Sequence, residues 1–97
     1  MFEKTMTQEL MDLLEAPANE MFPGEEKMID KWPFPEEIKP YAIAYWLNGV
    51  SETLNKKFES TNREFNVAYG IDEKKQRHLI LFCLARDMED TATQASA

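Results

Sequence analysis

All five prolines of this chain (Pro17, Pro23, Pro33, Pro35 and Pro40) fall between residues 17 and 40, and none follows. Proline lacks a backbone N–H and forces the residue before it into extended geometry. No single regular element can run through that stretch, whereas everything after Tyr41 is open to one. The chain therefore divides into an N-terminal segment, an irregular strap over 16–40, a regular half and a polar tail. A length of 97 residues suits one domain, placed at 1–90, with a disordered tail at 91–97. Apolar residues make up 43% and aromatics 11%, enough for one compact core and too many for wholesale disorder.

Residues 5–15 read as a short amphipathic helix. Thr5 and Gln8 have capping-box spacing, Met6, Leu10, Leu13 and Leu14 share a face, and Pro17 closes it. Three turns are too few to stand alone in water, so this helix must dock. The strap carries Met21, Phe22, Met28, Ile29, Trp32 and Phe34, more apolar surface than a flexible linker holds. It is expected to lie ordered across the helices.

From Ile43 the apolar residues recur at helical spacing: Leu47, Val50, Leu54, Phe58, then Thr61, Phe65 and Ala68. Asn48, Glu52, Asn55, Lys56, Glu59 and Asn66 take the other side. This pattern predicts a long amphipathic helix over about 41–59 or 41–69. Thr61 and Glu64 offer a second capping box near a break at Ser60. Gly70 then reads as a helix stop and Asp72 as the cap of a last helix, about 73–89. That helix would contain "HLILFCLA", apolar around nearly its whole circumference and thus buried between elements or shared with another subunit. The expected fold is all-α.

A competing pattern runs through the same region. Phe65, Val67, Tyr69 and Ile71 alternate, and "LILFCL" suits a buried strand, which would give an α+β fold with a hairpin at 64–71/78–86. Leu, Phe, Cys and Ala outnumber β-branched residues there, which favours helix.

The search for chemistry is largely negative. His78 is the only histidine, which leaves no multi-histidine metal site, and the sequence calls for no cofactor. Cys83 lies in an apolar run, reads as a buried inert thiol, and points to a reducing compartment. The glycines are isolated, so no phosphate loop exists, and the paired carboxylates sit where solvent or a helix start accounts for them. A non-enzyme is expected. No apolar run reaches the length of a membrane span, and "MFEKTMTQEL" lacks a signal-peptide layout. A cytoplasmic protein is the corresponding expectation.

The formal charge of −7 opposes direct nucleic-acid binding. It is uneven: residues 1–35 hold eight acids against three lysines, a net −5, and the remainder holds −2. Glu9, Asp12 and Glu15 form the acidic side of the first helix, while Lys74, Lys75 and Arg77 make the local basic run that could pair with it. Trp32, Phe34, Tyr41, Tyr45 and Trp46 lie within fifteen residues and form the candidate partner site. The bland account has Trp32 and Phe34 stapled onto the helix they introduce.

These features favour a small acidic protein that acts by association, as an inhibitor, adaptor or assembly factor, with a homodimer expected. Small acidic chains of this kind include phage-encoded inhibitors of host machinery, an analogy of composition only. The alternative is a nucleic-acid mimic whose acidic N-terminal third fills a basic cleft. An enzyme or small-ligand module ranks third.

Overall fold

The computed structural model describes residues 5–86. The chain runs α1 (Met6–Glu20), β1 (Glu26–Ile29), α2 (Pro40–Lys57), β2 (Arg63–Ile71) and β3 (Arg77–Ala85). The strands form one antiparallel sheet in the order β1-β3-β2. The fold is α+β. This overturns the all-α expectation, and the hairpin pattern is the one the chain follows.

α1 begins as its sequence predicts. The Thr5 hydroxyl accepts from the Gln8 N–H at 3.1 Å, and the Gln8 side chain accepts from the Thr5 N–H at 3.2 Å. The expected stop at Pro17 does not occur, for α1 runs through it to Glu20. Ala18 is fully buried, and Arg63 Nη1 lies 3.2–3.3 Å from the carbonyls of Ala18, Asn19 and Met21. A cation from β2 thus satisfies the last turn of a helix that has no basic residue there.

α2 opens with Pro40 in its first turn, where a missing donor is harmless. It buries Ile43, Leu47, Val50, Ser51 and Leu54, and ends at Lys57. The chain then reverses. Thr61 donates its hydroxyl to the Phe58 carbonyl at 2.7 Å and accepts from the Arg63 N–H, so the predicted Thr61–Glu64 capping box does not form. Arg86 treats the end of α2 as Arg63 treats α1, donating to the carbonyls of Glu59 (3.1 Å) and Asn55 (3.0 Å).

The expected last helix is instead the hairpin β2–β3. Gly70 lies inside β2, and Asp72 organises the turn rather than a helix start. Its Oδ1 accepts from the N–H groups of Lys74 (2.9 Å) and Gln76 (2.8 Å), while Lys75 takes a left-handed φ of 63°. "HLILFCLA" is apolar from Leu79 to Ala85 because β3 is the central strand, with apolar residues on both faces. Residues 87–89 of the expected helix and the 91–97 tail lie outside the described residues.

The strap also contains a regular element. β1 pairs with β3 in the register Glu26↔Phe82, Lys27↔Leu81, Met28↔Ile80 and Ile29↔Leu79. Both helices and the strap pack on one face of the sheet. That inner face carries Ile29, Phe65, Val67, Leu79, Leu81 and Cys83, which join Leu10, Leu14, Ile43, Val50 and Leu54 in one core. No helix among the described residues is long and apolar enough to cross a membrane.

Candidate functional site

The five aromatic residues singled out by sequence divide into two groups. Phe34 is buried in the core, and Trp32 is half-buried against it with ring centroids 5.1 Å apart. Trp32 also meets Tyr69 of β2 at 5.8 Å and carries the Arg77 guanidinium 5.7 Å from its ring. These two residues tie the strap to the inner end of the sheet. Tyr41 and Tyr45 are 77% and 70% exposed on α2, and the Tyr45 ring meets half-buried Trp46 edge-on at 5.1 Å.

The charged residues are equally scattered. Glu15 pairs with Lys57 of α2 rather than with the basic run. Glu9 and Asp12 border a recess shared with Lys31 and Trp32. Lys74 and Lys75 stand exposed in the hairpin turn, and Arg77 lies on Trp32. Within the chain, Glu15 and Arg77 thus engage Lys57 and Trp32.

His78 and Cys83 project to opposite faces of β3. His78 Nε2 lies 2.8 Å from Asp72 Oδ2, and this bond holds the Asp72 carboxyl below its ordinary range. Burial pushes the Cys83 thiol up, and its Sγ approaches the Met21 carbonyl at 3.9 Å. A buried, protonated thiol is a poor nucleophile. Among the described residues no group of three or more His, Cys, Asp and Glu is disposed to hold a metal. A cleft of about 510 Å³ lies between the strap and the hairpin, lined by Asp30, Trp32, Glu36, Lys75, Arg77 and His78. Charges of both signs line it, and His78 is already engaged by Asp72, so it selects no ligand charge.

Sequence reasoning missed the feature that stands out most, the outer face of the sheet. The register places Met28, Ile80, Phe82, Leu84 and Ala68 on the side opposite the helices. Met28 is 56% and Leu84 46% exposed, while Ile80, Phe82 and Ala68 are half-buried. Glu26 and Glu64 share this face, Glu26 beside Phe82 and Glu64 beside Leu84. The signal lay in "HLILFCLA". A central strand apolar from Leu79 to Ala85 presents apolar side chains on both faces, and the described helices cover one.

The edges of the sheet differ as well. On β2 the outward N–H and C=O of Phe65 bond the Asn55 side chain of α2 at 2.6 and 3.0 Å. The next outward N–H, of Val67, donates to Ser51 Oγ at 3.1 Å. α2 thus plugs this half of the edge with side-chain mimics of a neighbouring strand. On β1 the Cys83 N–H bonds the Glu25 carbonyl, which sets Glu26 and Met28 at positions whose backbone groups point away from β3. No hydrogen bond from another described residue reaches those groups.

No family model matches the chain, and neither the curated proteins nor the solved structures give a match. A functional reading rests on this geometry alone.

Proposed function

We propose that this protein works by association, docking the outer face of its sheet onto another protein, as an inhibitor, adaptor or assembly factor would. One observation carries the reading: Met28, Ile80, Phe82 and Leu84 line up on the sheet face opposite the described helices, with Met28 and Leu84 exposed and Ile80 and Phe82 half-buried. Strips of this kind on a small domain mark interaction sites. Glu26 and Glu64 lie beside it and the chain carries −7, so the partner is expected to present apolar side chains ringed by Lys and Arg. A second copy would bring four of these carboxylates into one interface, which disfavours the homodimer relative to a basic partner.

The test is capture from the native cell with wild type, Phe82→Lys and Tyr45→Ala, each checked for folding by circular dichroism. A protein retained by wild type and Tyr45→Ala but lost with Phe82→Lys is the expected result. Capture indifferent to Phe82→Lys would reject the proposal. Light scattering on the purified chain should show a monomer. A dimer that Phe82→Lys dissolves would place a second copy on this face.

Acidic mimicry of nucleic acid remains the second reading, and it moves to different residues. Glu20, Glu25 and Glu26 are exposed together where α1 ends and β1 begins, whereas Glu15 is tied to Lys57. Under that reading the captured partner is a DNA- or RNA-binding protein, released by Glu20→Gln with Glu26→Gln and by salt but not by Phe82→Lys.

A further inference from the structure

The free edge of β1 borders a groove of about 340 Å³ lined by Pro17, Glu20, Met21, Glu25, Glu26 and Lys27. One wall is the last turn of α1 and the other is the strand itself. The outward N–H and C=O groups of Glu26 and Met28 lie along that strand, two donors and two acceptors at strand spacing. Three carboxylates face one ammonium around it.

We propose that this groove accepts an extended, basic peptide segment, which adds to the sheet as a fourth strand beside β1. An extended chain is the occupant that matches a row of alternating backbone donors and acceptors. Its charge follows from the lining: an acidic or neutral strand gains nothing from Glu20 and from Glu25, whose Oε1 also accepts the Phe22 N–H at 2.6 Å, while Lys or Arg pairs with them. The edge of a second copy would carry the same acids and be repelled. The period-two alternation of a strand then sets the pattern of the segment. Basic side chains fall on the α1 side, towards Glu20 and Glu25 and alongside Lys27, and apolar ones fall on the outer side next to Met28, where Glu26 also projects.

The other edge is a weaker host. Its outward groups are taken by Asn55 and Ser51 as far as Val67, and the recess beyond, at Ala44, Leu47 and Tyr69, carries no charge to select a partner. The proposed groove shares Met28 and Glu26 with the apolar strip but draws its backbone pairing from the β1 edge and its charge from Glu20 and Glu25.

The test uses the full chain and a labelled eight-residue peptide of alternating lysine and valine, with a glutamate–valine peptide as control. Fluorescence anisotropy should show binding of the first and none of the second, weakening as salt rises. Amide hydrogen exchange should slow at Glu26 and Met28, which pairing along this edge requires and loose charge attraction does not. Glu26→Pro removes one outward N–H together with the Glu26 carboxylate, without touching the ladder bonds of Lys27 and Ile29, and should weaken binding about tenfold or more beyond Glu26→Gln, which removes the charge alone. Glu20→Lys leaves the strand intact and should weaken it similarly. Ile71→Lys, which adds the same charge on the exposed far strand, should leave the peptide's binding unchanged. Equal binding of both peptides, no slowing at Glu26 and Met28, or indifference to both Glu26→Pro and Glu20→Lys would overturn the proposal.

Discussion

The two faces of β3 are made by the same nine residues and serve opposite ends. Leu79, Leu81 and Cys83 are wholly buried under the helices, while Ile80, Phe82 and Leu84, one residue out of step, have no described cover. Apolar content alone does not separate these sets, because the strand is greasy at almost every position. What separates them is which side the helices reach. The inner set packs beneath the helices, and the outer set lies on the face the described helices leave open.

Substitutions on the two faces should therefore separate stability from association. Leu81→Ala opens a cavity in a fully buried site and should cost about 2–5 kcal/mol, read by urea denaturation. Phe82→Ala, on the half-covered face, should cost clearly less, while being the change that weakens partner capture. Comparable losses of stability from both would show that the outer face is core and would break the distinction.

A smaller effect is expected where a side chain stands in for a strand. Asn55→Ala leaves the outward N–H and C=O of Phe65 without their partner, and a loss of about 1–3 kcal/mol should follow. Asn55→Leu, with similar bulk, should do no better, because the lost interaction is polar. Either variant should also let the β2 edge pair between chains, seen as concentration-dependent association.

The smallest effect belongs to the hairpin turn. The Asp72 carboxyl is held below its ordinary value of 3.8 by the His78 bond first and by the Gln76 and Lys74 amides after it. A depressed carboxyl contributes stability above the unfolded-state value and loses it as pH falls through the folded one. Amide exchange at the turn should thus quicken in acid, below the usual carboxylate range, before the core loosens. Asp72→Asn keeps an oxygen for the two amides, so it should flatten that pH dependence while leaving the turn largely in place.

Much of the first half of the chain was legible. The Thr5–Gln8 cap, the place of Pro40 and the buried face Ile43, Leu47, Val50 and Leu54 all follow from spacing. Beyond Phe58 the spacing misled for a definite reason. Phe58 and Phe65 are seven apart, two turns of helix, yet they meet with rings 4.9 Å apart across a reversal. A contact at helical separation can thus come from a turn that folds the chain back. Asn55 was assigned to the solvent side of α2, but its target is a strand edge that no local pattern reveals. The candidate partner site Trp32, Phe34, Tyr41, Tyr45 and Trp46 follows from aromatic spacing, which does not separate the strap residues that pack inward from the helix residues that stay exposed. The uncovered face emerged only with the strand register.

The position of β1 has a temporal consequence. Met28 pairs with Ile80, 52 residues later in the chain, so β1 has no strand to join until the far end is made. At synthesis rates of about 5–20 residues per second, it waits roughly 3–10 s after it appears. During that interval "GEEKMID" is a nascent strand whose flanking charges discourage pairing with anything else. The acids that dress this edge in the finished protein thus also serve as its guard while the chain is still growing.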